Sequence, residues 1–490
     1  MVGRWLFNLL ALIYLATISS CSISHSSKQE KVTYGQAEQV IGSRVSKHIL
    51  SIAPEGAINE GAIRNLSPSS VAKTDSEAID QVDYIVEAIK ERKETLKRIV
   101  IFVHGGLVDE LSLVRRVNSV LGKIPDDTFP VFINWQSGLL DTYPYQLFKV
   151  RNGELSRWAK YNWPVHFITD IADIIVQAPK SWTISGSHAF DSGVRRKQAD
   201  IDESLASYGK QYSFVNVVDN GRLPSKFWNS VKWWTASPGK LVATPVAHVI
   251  GKPAWDEMLR RADNVVFPGV RGIDEIVETG YKLPGNYRTS EGVPISAVGA
   301  FLKRITDLKT RAISENRTFE VDVVGHSMGA IIVNRLLRGE YQFQFDNIVH
   351  MASADTVDAI FTTVFPYLER YRNSRFYSLH LHPHNEERER NVFGLAPTGS
   401  LLVYIEDMYT TPDSVMSRRS GVWDNIARVF DRLPLSENLE TRINFTVFGI
   451  DENADENKKN RDSRITHPQK HGEFSRTRFW LPETWLGKMD

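Results

Sequence analysis

Ser327 stands in the string Gly325-His326-Ser327-Met328-Gly329, with a glycine two residues away on either side. A serine hydroxyl becomes a nucleophile only when a neighbouring base takes its proton, and imidazole titrates in the range where that transfer works. The pentapeptide also marks a change of period. Phe319, Val321, Val323 and Val324 precede it as a short run rich in β-branched residues. Ile331, Ile332, Leu336 and Leu337 follow at three- and four-residue steps, with Arg335 and Arg338 beside them. A strand before and an amphipathic helix after predict a sharp strand-to-helix turn. Such a turn strains its central residue and leaves no room for side chains two positions away. It also sets the hydroxyl at a helix N-terminus, whose free N–H groups suit an anion.

A second group of residues carries a different chemistry. His380, His382 and His384 alternate in "HLHPH", which puts them on one face of a strand, and imidazole is a good zinc ligand. A metal-dependent hydrolase is therefore the rival reading. Against it, no nearby Asp-His pair completes a ligand set in the sequence, so no metal or other cofactor is expected.

Around these residues the chain reads as alternating elements. A helical pattern from about Ser76 to Arg98 (Ile79, Val82, Ile85, Val86, Ile89) leads into the apolar run Ile99 to Val103 and then "HGG". Asp109 opens a helix with Leu111, Val114, Val117 and Leu121 on one side, and "PVFINW" (Pro130 to Trp135) follows as a strand. Strand, helix and strand with short connections argue a parallel sheet. The rhythm stops between about Ser137 and Ile295, where Trp, Tyr and Pro accumulate. It resumes with a helix near Ala297 to Ser314, the strand before Ser327, and strands at "NIVHMAS", "FYSLHLH" and "INFTVFGI". The formal net charge of +1 over 490 residues gives no electrostatic footprint for nucleic acid.

The N-terminus is a separate matter. Arg4, an apolar run from Leu6 to Ile18 and then small residues make a secretory signal, ending in Ile18-Ser19-Ser20-Cys21. Those residues resemble the lipobox of bacterial lipoproteins, in which the cysteine is lipidated. Cys21 is the only cysteine of the chain, so disulfides are excluded. Ser22 after it implies the outer membrane under the enteric-type sorting rule. The resemblance thus implies a lipid-anchored protein on the periplasmic side of a bacterial envelope, with the polar stretch "SISHSSKQE" as its tether.

The turn at Ser327, the early "HGG" loop and a late histidine together resemble the α/β-hydrolase superfamily, over about residues 96–137 and 297–480. The resemblance implies an eight-stranded-type, mostly parallel sheet flanked by helices, with a large inserted helical cap. It implies Ser327 as nucleophile and a histidine after the last strand as base. His471, before a Gly and an aromatic in "KHGEF", fits better than His467, which precedes Pro468. The acid is expected in the loop after "FYSLHLH", at Glu386 and then Glu387, with Asp355 a rival one strand earlier. The oxyanion hole is expected from the amide of Met328 and one from Gly106 or Leu107, with His104 bracing the loop. The implied organisation is a signal peptide (1–21), a tether and N-terminal extension (22–75), a first core half (76–137), a Trp-rich cap (138–296) and a second core half (297–490). The implied function is cleavage of an ester or related acyl bond through an acyl-serine, on an apolar or lipid-like acyl substrate. A non-catalytic binding lipoprotein of the same fold is the other alternative.

Overall fold

The computed structural model describes residues 45–52, 81–106, 110–135, 137, 150–151, 154–155, 198–218, 251–267, 296–338, 342–389, 399–410, 412–430, 435–451 and 466–486, with the isolated positions 165, 169, 172, 176 and 179. Cys21 and the other residues of 1–44 lie outside them.

Eight strands build one sheet: β1 (Ile49–Ile52), β2 (Arg98–Val103), β3 (Thr128–Trp135), β4 (Val215–Val217), β5 (Glu320–His326), β6 (Asn347–Met351), β7 (Arg375–Leu381) and β8 (Ile443–Phe448). Their order is β1-β3-β2-β5-β6-β7-β8-β4, and every pairing is parallel. A sheet of this kind is covered on both faces, so its strands are near-continuous apolar runs rather than alternating ones. β2 and β5 are buried from their second residue onward, and β3 and β6 throughout. β5, which ends in the pentapeptide, lies at the middle of the sheet between β2 and β6.

The helices that concern the site are α1 (Gln81–Glu91), α2 (Glu110–Leu121), α3 (Gln198–Gln211), α4 (residues 251–266), α5 (Ala297–Ser314), α6 (Gly329–Arg338), α7 (Pro383–Arg388) and α8 (Trp423–Phe430). α1 buries Val82, Ile85, Val86 and Ile89, which is the stripe its sequence predicts. α5 covers the predicted span and starts where the Ser296 hydroxyl accepts the Gly299 N–H at 3.0 Å. α8 places Phe430 against Phe445 of β8, with ring centroids 5.0 Å apart, and Trp423 against Phe430 at 5.8 Å.

Two elements differ from the reading of the sequence. Ile49–Ile52 falls in the stretch 22–75, read as tether and extension, yet it forms a fully buried edge strand on β3. Val215–Val217 falls in the stretch 138–296, read as cap, yet it pairs with β8 and closes the opposite edge, with α3 packed on it. Both runs are four residues or fewer, too short for a period to show; the neighbouring strand, not the local sequence, makes them strands.

The β1 edge is closed by a side chain. Gln81 of α1 accepts the Ser51 N–H at 3.2 Å and donates to the Ile49 carbonyl at 2.8 Å, doing for β1 what a ninth strand would do. All three residues are buried. Gln81→Ala would leave a donor and an acceptor without partners and should lower stability by about 1–3 kcal/mol. Urea unfolding of the purified protein checks this, and an unchanged midpoint would refute the bridging role.

Candidate active site

Ser327 has φ of 54°, a left-handed conformation that costs a residue with a Cβ roughly 1–2 kcal/mol. The surroundings hold it there. Its N–H donates to Met351 O at the end of β6 (2.9 Å), and its carbonyl accepts from Ala330 (3.1 Å) and Ala354 (3.0 Å). The flanking glycines are required by close approach. A Cβ on Gly325 would lie 2.7 Å from the Ala330 backbone, and one on Gly329 would fall on the Val103 carbonyl of β2. Ser327 is 1% exposed, and among the described residues its Oγ has no hydrogen-bond partner.

The "HGG" loop leaves β2 and lies on this turn. A Cβ on Gly105 would lie 2.9 Å from the Ser327 Cβ. His104 Nδ1–H donates to Gly105 O at 2.7 Å, so its Nε2 faces the Trp135 N–H (3.4 Å) as acceptor, and Trp135 Nε1–H donates to His104 O at 3.0 Å. Burial pushes the His104 imidazole down to about 4, so it is neutral and braces the loop. Gly106 sits beneath two thioethers: a Cβ there would lie 2.7 Å from Met328 Sδ and 3.5 Å from Met258 Sδ of α4. The Ser327 amide is bonded to β6, and those of Ala330 and Ile331 close the first turn of α6. Among the described residues no backbone acceptor takes the Met328 or Gly329 N–H at this helix start. Leu107 lies outside the described residues.

His471 opens a short 3-10 turn after β8 and is folded back onto the pentapeptide. Its ring centroid is 5.1 Å from that of His326, whose Nε2–H donates to the His471 carbonyl at 3.1 Å. The His471 N–H donates to Glu389 Oε2 at 2.9 Å. Both ring nitrogens lack hydrogen-bond partners among the described residues, and burial pushes the imidazole down to about 4. His467 instead lies against Phe448, with ring centroids 6.1 Å apart.

The three acids are placed differently. Glu386 on α7 is buried, and neither carboxyl oxygen has a hydrogen-bond partner among the described residues. Burial pushes its carboxyl up to about 8, against the pull of the Ser400 hydroxyl and with the help of the charges of Glu389, Glu406 and Asp424. Glu387 is half-buried on the same helix. Asp355 has both oxygens engaged, by Asn334 Nδ2–H at 2.7 Å and by the Thr356 N–H at 2.8 Å, so it ties α6 to the loop after β6. His471 thus meets the residue before Ser327 at the end of β5, while Glu386 sits on α7 after β7; among the described residues no hydrogen bond joins the side chains of Ser327, His471 and Glu386.

The three histidines of "HLHPH" are not brought together as ligands. His380 is buried against the rings of Trp423 and Phe445, with Nδ1 3.1 Å from Gly421 O. His382 Nε2–H donates to Asp202 Oδ1 of α3 at 3.0 Å, and its Nδ1 accepts the His384 N–H at 3.2 Å. Among the described residues, no group of three His, Cys, Asp or Glu side chains is arranged to hold a metal ion. The sequence reading missed His326 and Glu389 as neighbours of His471. The first was hidden inside the pentapeptide, the second inside the mixed charge run Glu386 to Arg390.

A carboxyl raised by burial has a signed consequence for stability. Between about 4.5 and about 8 the unfolded chain releases the Glu386 proton that the folded chain keeps, so this residue's contribution falls as pH rises through that window. Glu386→Gln keeps the shape and removes the titration. It should melt above the natural protein near pH 8 and together with it near pH 4.5, as a series of thermal melts would show. Equal melting temperatures at both ends would mean that the carboxyl is not held protonated. In comparisons with known proteins, no family model, no curated protein and no solved structure matches the chain.

Proposed function

We propose that the chain is a serine hydrolase of the α/β-hydrolase kind, cleaving an ester or related acyl bond through an acyl-serine. The observation that carries this reading is the left-handed Ser327 between β5 and α6, with the buried His471 folded against the adjacent His326. A residue with a Cβ held in that conformation needs a reason, and setting a nucleophile at a helix start is a physical one.

Ser327 Oγ attacks the carbonyl carbon as its proton passes to His471. The oxyanion accepts hydrogen bonds from the Met328 amide and from the Gly106–Leu107 loop. The C–O bond to the leaving group breaks as His471 returns the proton to it, and water then reverses the sequence to free the acid. An acid in the segment after β7 orients the imidazole. No cofactor enters this chemistry.

The substrate is assigned as apolar or lipid-like in its acyl part. Met328 and Met258 crowd the loop at Gly106, and Ser327 is shielded from water. Such walls favour an apolar group and strengthen electrostatic interactions inside the site. The Trp-rich segment 138–296 outside α3 and β4, to which α4 belongs, is proposed as the cap. Cys21 is proposed as the lipid anchor, placing the enzyme on the periplasmic side of the envelope, at the outer membrane.

A fluorophosphonate probe should label the purified protein and fail to label Ser327→Ala, which should fold normally and lose several orders of magnitude in activity. Labelling that persists in Ser327→Ala would place the nucleophile elsewhere. Because a base must be neutral and burial pushes the His471 imidazole down, kcat/KM should not need a pH above the usual imidazole range and should fall only on its acid side. A pH–rate profile with its acid limb well above 6.5, the unperturbed value, would contradict a buried His471 as base. Cys21→Ser should abolish incorporation of radiolabelled palmitate in a bacterial host; unchanged incorporation would remove the anchor.

A further inference from the structure

Glu389 leaves α7 at its C-terminal end and is fixed by its own backbone. Its N–H donates to Asn385 O at 3.1 Å, and its carbonyl accepts the Gly399 N–H at 2.9 Å. From there the carboxylate reaches the main chain of His471, whose N–H it accepts at 2.9 Å through Oε2. On the other flank, His326 Nε2–H holds the His471 carbonyl at 3.1 Å. The peptide of His471 is thus gripped on both sides, once by the residue before Ser327 and once by a carboxylate. In a histidine, Nδ1 is the ring nitrogen nearer its own main chain. A carboxylate bonded by one oxygen to the residue's amide has its second oxygen within reach of Nδ1–H by rotation about χ1. The His471 Nδ1 has no other hydrogen-bond partner among the described residues.

We infer that Glu389, and not Glu386, is the positioning carboxylate for His471, with one oxygen on the amide and the other on Nδ1–H, while His326 fixes the carbonyl side. This rests on the reading of Ser327 and His471 as nucleophile and base. The neighbouring carboxyl supports the division of roles. Glu386 makes no hydrogen bond to His471, and its proton is retained up to about pH 8, by burial and then by the charges of Glu389, Glu406 and Asp424. The charge of Glu389 is among those that raise Glu386, so the two carboxyls do not ionise together easily. A protonated Glu386 cannot stabilise an imidazolium; an ionised Glu389 can.

The test uses the full-length chain and three variants, Glu389→Gln, Glu389→Asp and Glu386→Gln. They are read by fluorophosphonate labelling rate, by kcat and KM on a short p-nitrophenyl ester across pH, and by the low-field imidazole N–H resonance. Glu389→Gln should lower the labelling rate and kcat by about a hundredfold or more with little change in KM, and should lose the resonance. Glu389→Asp, which keeps the charge, should recover part of the rate. Glu386→Gln should stay within about threefold and keep the resonance. A large loss in Glu386→Gln with Glu389→Gln near the natural rate overturns the inference. So does a resonance that survives in Glu389→Gln, whatever that variant does to the rate. A natural protein that the probe does not label at Ser327 refutes the hydrolase reading itself, and the assignment of Glu389 falls with it.

Discussion

The left-handed turn at Ser327 is the constraint on which the rest of the site depends. A single residue with a positive φ is unfavourable, and nothing in the pentapeptide alone would keep it there. The neighbouring strands do. β2 presses the Val103 carbonyl against Gly329, and β6 takes the Ser327 N–H on Met351 O. The loop after β6 takes the Ser327 carbonyl through Ala354. That loop is strained in turn, with Ala352 at φ of 44°, and a Cβ on Gly421 would collide with its backbone. Arg419 steadies it by donating to Ala354 O at 2.8 Å, and Asn425 donates to Glu406 at 2.7 Å beside it. Two strained residues at the ends of adjacent strands are stable because their surroundings over-determine them.

Burial sets the chemistry of the groups gathered around that turn. His104, His326 and His471 are all pushed below the ordinary imidazole range, each chiefly by desolvation. They are therefore neutral near pH 7, and each tautomer is decided by its neighbours. His104 gives its proton to Gly105 O and braces the loop; His326 gives its proton to His471 O and holds a peptide. Of these three, only His471 keeps both ring nitrogens without a hydrogen-bond partner among the described residues. The same desolvation acts with the opposite sign on carboxyls. Among the acids near β7, burial protonates Glu386, while Glu389 accepts a backbone N–H, as an anion does readily.

Long-range closure at the two sheet edges follows the same logic of satisfying buried backbone. β1 would be an open edge if Gln81 did not bond to both Ile49 and Ser51. The other edge is occupied by β4, and His382 ties α3, which leads into it, to the end of β7 through Asp202. The alternating histidines of β7 thus serve packing and tethering. His380 lies in the aromatic layer with Trp423 and Phe445, and His382 caps α7 and reaches α3.

Much of this was legible in the sequence because it depends on local pattern. The apolar run at Ile99–Val103, the change of period at Gly325–Gly329 and the stripe of α5 each identify their element, since burial on a parallel sheet or a helix face imposes a period within ten residues or so. The two glycines flanking Ser327 are likewise local, because the turn leaves no room for a Cβ. What the sequence did not contain is partnership. Ile49–Ile52 and Val215–Val217 become strands only beside β3 and β8. Glu386 and Glu389 stand three residues apart in one charge run and look interchangeable. The end of α7 buries the first without a partner and delivers the second to the amide of His471. His326 is one letter of a pentapeptide until the loop after β8 folds over it, 145 residues later in the chain. Side-chain types and periods are properties of a segment, whereas protonation and hydrogen-bond partners are properties of the space between segments. Only the tertiary structure fixes that space.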